Sequence, residues 1–166
     1  MRTTYREPGA ETRRPAGALD RLGPSEDARV GTFGWNSARH LALYFAVPST
    51  GRVLHTINIR CFPEHIRFSI DHAEDEAVFV DSSLPHLLAP HLPHLPRLRH
   101  VVVMDDGGAV DDASGDSRIV RREDLLDSAD EIDLRDRVAD EWRRCALRGL
   151  CSTPHLKGYG RDERLT

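Results

Sequence analysis

Lysine is almost missing from this chain: Lys157 is the only one in 166 residues, so nearly all of the 23 basic residues are arginine. That is a compositional bias, and by itself it describes a solvated surface. No surplus of positive charge accompanies it. The formal net charge of −4 gives no overall electrostatic reason to bind nucleic acid or an anionic membrane. Cysteine is also scarce. Cys61, Cys145 and Cys151 are odd in number and form no C-x-x-C pair, which argues against a disulfide framework or a zinc site. No apolar run approaches the ~18 residues of a membrane span. The opening "MRTTYREPGAETRR" lacks the apolar core of a secretion signal, so a cytoplasmic protein is expected. Nucleotide and hydrolase signatures are missing as well: G-x-x-x-x-G-K-[ST], G-x-G-x-x-G and the serine elbow G-x-S-x-G do not occur.

What is present reads as one folded domain. Hydrophobic residues make up 39% and charged residues 30%, a mixture that can offset ordering entropy by burial. From Arg29 to Met104, β-rich runs alternate with helix-period stretches, the pattern of parallel strands joined by crossover helices. "RVGTFGW" is the first strand. Asn36 or Ser37 caps the helix that follows, on which Leu41, Tyr44, Phe45 and Pro48 form an apolar series at i, i+3, i+4 and i+7. "RVLHTIN" is the second strand. Pro63 suits the first turn of the next helix, with Phe62, Ile66, Ile70 and Ala73 as its stripe. "EAVFVD" and "RHVVVMDD" are the third and fourth strands, and the unbroken valines of the latter suggest burial on both faces. Between them, four prolines limit Leu84 to Leu92 to short helical pieces. "RIVRREDLLDSA" gives a short strand and a helical turn, and Leu134, Val138 and Trp142 mark a further helix. The expected fold is α/β, a mostly parallel sheet of about four or five strands with flanking helices. Before it, Glu11 to Leu22 has helical composition and Gly23 supplies a stop, but Pro8 and Pro15 predict a frayed or kinked helix.

Candidate chemistry is thin. Nine histidines invite a metal or acid/base role, yet His86, His91, His94 and His100 straddle prolines and match neither H-E-x-x-H nor a Cys/His finger. His55 and Thr56 stand near the end of the second strand, where α/β proteins keep site residues. Cys61 reads as a small buried apolar residue. The acidic, glycine-rich stretch from Asp105 to Ser117 lacks the order of a calcium loop. The tail "CSTPHLKGYGRDERLT" sets a lysine beside two glycines, but without the Ser/Thr-rich cradle and following helix of a phosphate loop.

Several short pieces fall in a recognisable order: Trp35-Asn36, "LALYFAVP" of 41–48, "GRVLHTIN" of 51–58, Phe62-Pro63-Glu64, "IDHAEDEAVFVD" of 70–81 and "LRHVVVMDD" of 98–106. Together with "YREPGAETRRPAGALDRLG" of 5–23 and "DRVADE" of 136–141, they resemble the N-terminal subdomain of the AMP-forming acyl-CoA synthetases, the medium- and long-chain fatty-acid ligases above all. The resemblance implies a reaction in which ATP and magnesium convert a carboxylate to an acyl-adenylate with release of pyrophosphate, after which coenzyme A displaces AMP. It also divides the chain into a partly degraded helical segment at 1–28, an α/β subdomain at 29–141, and a junction with an irregular tail at 142–166.

Departures from the family pattern bear on function. The family's phosphate loop, T-S-G-T-T-G-x-P-K-G, does not follow "RVADE"; Trp142, Arg143, Arg144 and Cys145 do. The ribose-binding G-W-x-x-T-G-D and the C-terminal domain with its lysine are missing too. No catalytic, cofactor-binding or metal-binding residue of the family therefore carries over, and the chain alone is expected to be inactive and to bind none of ATP, magnesium or coenzyme A. Residues 147–166 resemble a stretch just before the ribose-binding motif, which suggests internal deletion or pseudogene decay; a frameshifted tail is the competing account. Long-chain members of the family can dimerise through N-terminal regions. The alternative reading is accordingly a non-catalytic interaction module that self-associates or pairs with a full-length synthetase.

Overall fold

A computed structural model describes the backbone of residues 6–105, 115–130, 132 and 146–148, and side chains for 12–105, 115–130 and 132. The expected helix around Leu134, Val138 and Trp142, most of the acidic loop, and the Lys157 to Gly160 turn lie outside these residues.

Helix α1, Arg6–Leu22, leads into strand β1, Arg29–Phe33. Then come α2, Ala38–Ser49; β2, Val53–Thr56; α3, Pro63–Ala73; and β3, Asp75–Asp81. The short α4, Pro85–Leu88, passes into a 3₁₀ turn, Ala89–His94, before β4, His100–Met104. Strand β5, Ile119–Arg121, runs into α5, Arg122–Asp127, and β6 is Ala146–Arg148. The strands form one sheet in the order β5-β4-β3-β1-β2-β6. Every pairing in it is parallel. The architecture is the expected α/β one. Its sixth strand lies within the segment read from sequence as junction and tail, and pairs Ala146 with Leu54.

Each face of the sheet has its own core. On one side, Leu43, Ala46 and Val47 of α2 and Ala16 and Leu19 of α1 pack over Val30, Phe79, Val102 and Met104. On the other, Ile66 and Ile70 of α3 and the leucines of 84–98 cover Val78, Val80, Val101 and Val103. Alternate residues of β3 and β4 thus serve opposite layers, as the period of two along a strand requires. This is why β4 reads as an unbroken valine run: both its faces are covered.

Local chemistry explains the boundaries. Ser37 caps α2, its hydroxyl accepting from the His40 N–H, which satisfies one of the orphan donors of the first turn. Pro63 opens α3, and Glu74 closes it in the left-handed region with φ of 57°. Gly23, at φ +72°, ends α1 as the sequence predicts. Arg118 donates to the carbonyls of Leu95 and Leu98, tying the approach of β5 to the end of the 3₁₀ segment.

Three expectations are corrected. The helix α1 runs unbroken through Pro15, with Pro8 in the first turn, where a missing N–H has no intrahelical role. The apolar series Leu41, Tyr44 and Phe45 faces outward, at 51%, 43% and 52% exposure; the smaller Ala42, Leu43, Ala46 and Val47 face the sheet. Finally, Cys61 packs against the core but is disulfide-bonded, where three cysteines without C-x-x-C spacing suggested none.

Candidate functional site

Open parallel sheets bind ligands beyond the carboxyl ends of their strands, where neighbouring strands send their connections to opposite faces. Here that point lies between β1 and β3. These strands are adjacent, yet α2 follows β1 on one face and α4 follows β3 on the other. Trp35 and Ser83, from the turns after the two strands, and Asp81, the last residue of β3, meet there. The Trp35 indole Nε1–H donates to Ser83 Oγ at 3.1 Å. Ser83 Oγ–H donates to Asp81 Oδ1 at 2.7 Å, and the Ser83 backbone N–H donates to the same oxygen at 3.1 Å. Trp35 is 51% exposed, so this hydrogen bond holds an indole that is about half open to solvent.

The backbone comes close at the same place because of Gly34. A Cβ there would lie 3.2 Å from Met104 Cε and 3.4 Å from Asp81 Cβ, tight packing that a larger residue would disturb. Beneath the turn, His40 Nδ1 lies 3.1 Å from the Trp35 carbonyl and Nε2 lies 3.1 Å from Thr32 Oγ1. A carbonyl only accepts, so Nδ1 carries the proton and Nε2 accepts from the threonine. Burial lowers the His40 pKa, with the Trp35 carbonyl and Asp81 acting in the opposite sense. His40 is thus a neutral strut for the β1–α2 turn.

His55, the sequence candidate, lies elsewhere. It is buried in β2, with Nδ1 2.7 Å from Asp75 Oδ2 and Nε2 3.2 Å from Ser69 Oγ on α3. The bond order is that of a Ser-His-Asp triad, but the histidine and the aspartate are both buried, under α3 and away from the crevice. Its role is a polar tie between helix and sheet. Asp75 Oδ1 has no hydrogen-bond partner, and burial raises the Asp75 pKa, with His55 and Arg29 acting in the opposite sense. The histidines of 86–100 scatter over α4, the 3₁₀ turn and β4. Among the described residues no group of three His, Cys, Asp or Glu could hold a metal ion. No described helix is long and apolar enough to cross a membrane.

The crevice therefore offers binding geometry: an ordered aromatic face, a hydroxyl and a carboxylate. Sequence reasoning found Trp35 only as part of a familiar string, and did not single out Ser83 or Asp81. Trp35 and Ser83 are separated by 48 positions, and no local pattern links them.

Comparison with known proteins gives this geometry its relatives. Residues 1–141 match the family model described as AMP-binding enzyme. The chain is 38% identical over 138 residues to a long-chain-fatty-acid–CoA ligase of Thermus thermophilus, covering 83% of this chain and 24% of that protein. It is 34% identical over 130 residues to a medium-chain-fatty-acid–CoA ligase of Ectopseudomonas oleovorans, covering 78% and 24% respectively. The chain thus spans about a quarter of the length of these curated relatives. Among solved structures, the coronafacic acid ligase of Pectobacterium brasiliense superposes with a TM-score of 0.76 at 13% identity, covering 88% of this chain and 28% of that one. At that identity the likeness speaks for the fold alone. The family match over most of the sequence, on a parallel sheet shared with those ligases, places this chain in the AMP-binding enzyme family.

Proposed function

We propose that the chain is a truncated AMP-forming acyl-CoA synthetase, carrying the N-terminal subdomain of an enzyme whose reaction is the ATP-dependent activation of a fatty acid through an acyl-adenylate to acyl-CoA, and that alone it does not turn over. One observation carries this reading. Two fatty-acid ligases match most of this chain at 38% and 34% identity, while the match takes up only 24% of each. The sequence printed here lacks the Ser/Thr/Gly-rich phosphate loop that the resemblance would place after Glu141.

The donors in the crevice do not fit ATP with magnesium. Asp81 Oδ1 already accepts twice from Ser83, and the buried Asp105 carboxylate pairs with Arg121. Neutralising a transferring phosphoryl or adenylyl group needs several preorganised donors and a metal-binding carboxylate set, which the described crevice residues do not supply. The test is release of pyrophosphate from ATP with magnesium, coenzyme A and fatty acids of medium and long chain. The reading expects none above background; turnover by the purified chain contradicts it.

A second reading, an interaction module that pairs with a full-length synthetase, is favoured by the outward Leu41, Tyr44 and Phe45 of α2. Neighbouring large apolar side chains on one helix face are the usual mark of a contact surface. Co-purification with a full-length acyl-CoA synthetase, lost on Phe45→Glu, supports it; a monodisperse monomer that captures no such enzyme counts against it.

A further inference from the structure

Cys61 has a covalent partner, and the fold limits which residue that is. Cys61 is disulfide-bonded and packs, half-buried, against the core. Only Cys145 and Cys151 are available within the chain, and they flank β6, Ala146–Arg148, on opposite sides. The register of that strand separates them. β6 runs parallel to β2 and pairs Ala146 with Leu54 and Arg148 with Thr56. Cys145, one residue before Ala146, therefore belongs at the level of Val53, the amino end of β2. Cys61 lies past the other end. The Ile57 N–H donates to the Thr32 carbonyl, the Cys61 N–H donates back to the Asn58 carbonyl, and the chain starts its return only at Pro63, with α3. The three steps from Val53 to Thr56 alone span about 10 Å at ~3.3 Å per residue, whereas a disulfide joins Cα atoms roughly 4.4–6.8 Å apart. Cys151, three residues beyond Arg148, follows the strand at the same end as Cys61.

We infer that Cys61 is joined to Cys151, and that this bond makes the edge strand β6 a redox-dependent part of the sheet. β6 has three residues and a single neighbour, β2, so it is a short ladder at an edge, where local opening costs least. A covalent tie just past Arg148 restricts the conformations open to the strand once it leaves β2. The bond forms when the two thiols give two electrons and two protons to an oxidising disulfide, which becomes a dithiol. In the reverse direction the thiolate of a dithiol attacks one sulfur and expels the other cysteine as thiolate; its second thiol then displaces the first cysteine, leaving two thiols here and a disulfide in the reductant. Cys61 is half-buried and not sealed in the core, so a small dithiol reaches it. With the bond open, β6 detaches and the edge of β2 is uncovered. The inference concerns this edge alone and is independent of the ligase reading.

Trypsin separates the three cysteines, because cleavage after Arg60, Arg67, Arg144, Arg148 and Lys157 leaves them on peptides 61–67, 145–148 and 149–157. The full chain, purified without reductant and alkylated with N-ethylmaleimide in denaturant, is digested and mapped by mass spectrometry. The expected map shows 61–67 linked to 149–157, with the alkyl group on Cys145. Linkage of 61–67 to 145–148 or to a second copy of itself, or three alkylated cysteines, would overturn the pairing. Hydrogen exchange reads the consequence. Adding dithiothreitol should speed exchange of the 146–148 amides by about tenfold or more, with β3 and β4 unchanged. Unreduced Cys151→Ser should match the reduced wild type, and Cys145→Ser the oxidised one. Exchange in β6 that ignores reduction, or a rise spread equally over β3 and β4, would overturn the redox dependence of this edge.

Discussion

Asp75 is the residue on which burial and charge conflict most openly. It begins β3 at 1% exposure, holds His55 through one oxygen, and has no partner for the other. Burial raises its pKa in the fold, so the charged form is costlier there than in the unfolded chain. The consequence for stability has a definite sign. Below the unfolded carboxyl value of about 3.9, the residue is protonated in both states and carries no charge penalty. As pH rises through that value towards the raised folded one, the unfolded chain ionises first and stability is lost. Asp75→Asn keeps an acceptor for His55 and cannot ionise. Denaturant unfolding of both proteins should show the asparagine variant gaining on the wild type as pH rises above the unfolded carboxyl value of about 3.9; a difference that does not change with pH would contradict the assignment. None of this was visible in the sequence. Asp75 and His55 are 20 positions apart, and only the parallel register of β1, β2 and β3 brings them together.

Elements were more legible than residues, for a physical reason. Strands β1 to β4 announce themselves through β-branched and aromatic runs, and α2 and α3 through a serine cap and a first-turn proline, all local signals. Which side of α2 faces the sheet was not legible. Its large apolar residues, Leu41, Tyr44 and Phe45, have helical spacing, but so do Leu43, Ala46 and Val47. The small set fits the close approach to α1 and the sheet, leaving the bulky set outside. The helix α1 was legible in composition and not in continuity, because the cost of Pro15 is offset by burial of Ala16, Ala18 and Leu19. That docking depends on Gly17, where a Cβ would overlap the backbone carbonyl of Asp130. Gly17→Ala should therefore cost about 1–3 kcal/mol, read as a lower denaturant midpoint. Alanine is the better helix former by roughly 0.5–1 kcal/mol, so an unchanged or raised midpoint would mean that α1 does not pack against this segment.

At the scale of the whole molecule, the sheet places an ordered aromatic crevice at its switch point and leaves Trp35, Leu41, Tyr44, Phe45, Phe62 and Phe68 exposed. The family resemblance was readable as a succession of short strings, and the match over residues 1–141 agrees with it. The crevice itself was not readable, because its hydrogen-bond chain joins turns from two different strands. The proposed fragment reading accounts for the outward aromatics and for a crevice whose described residues lack the donors that adenylate chemistry requires. The most direct measurement is trapping of an acyl-adenylate: the purified chain is incubated with ATP, magnesium, hydroxylamine and fatty acids of graded length, and hydroxamate is quantified. The account predicts no hydroxamate above a protein-free control at any chain length; hydroxamate that accumulates with time and in proportion to protein would contradict it.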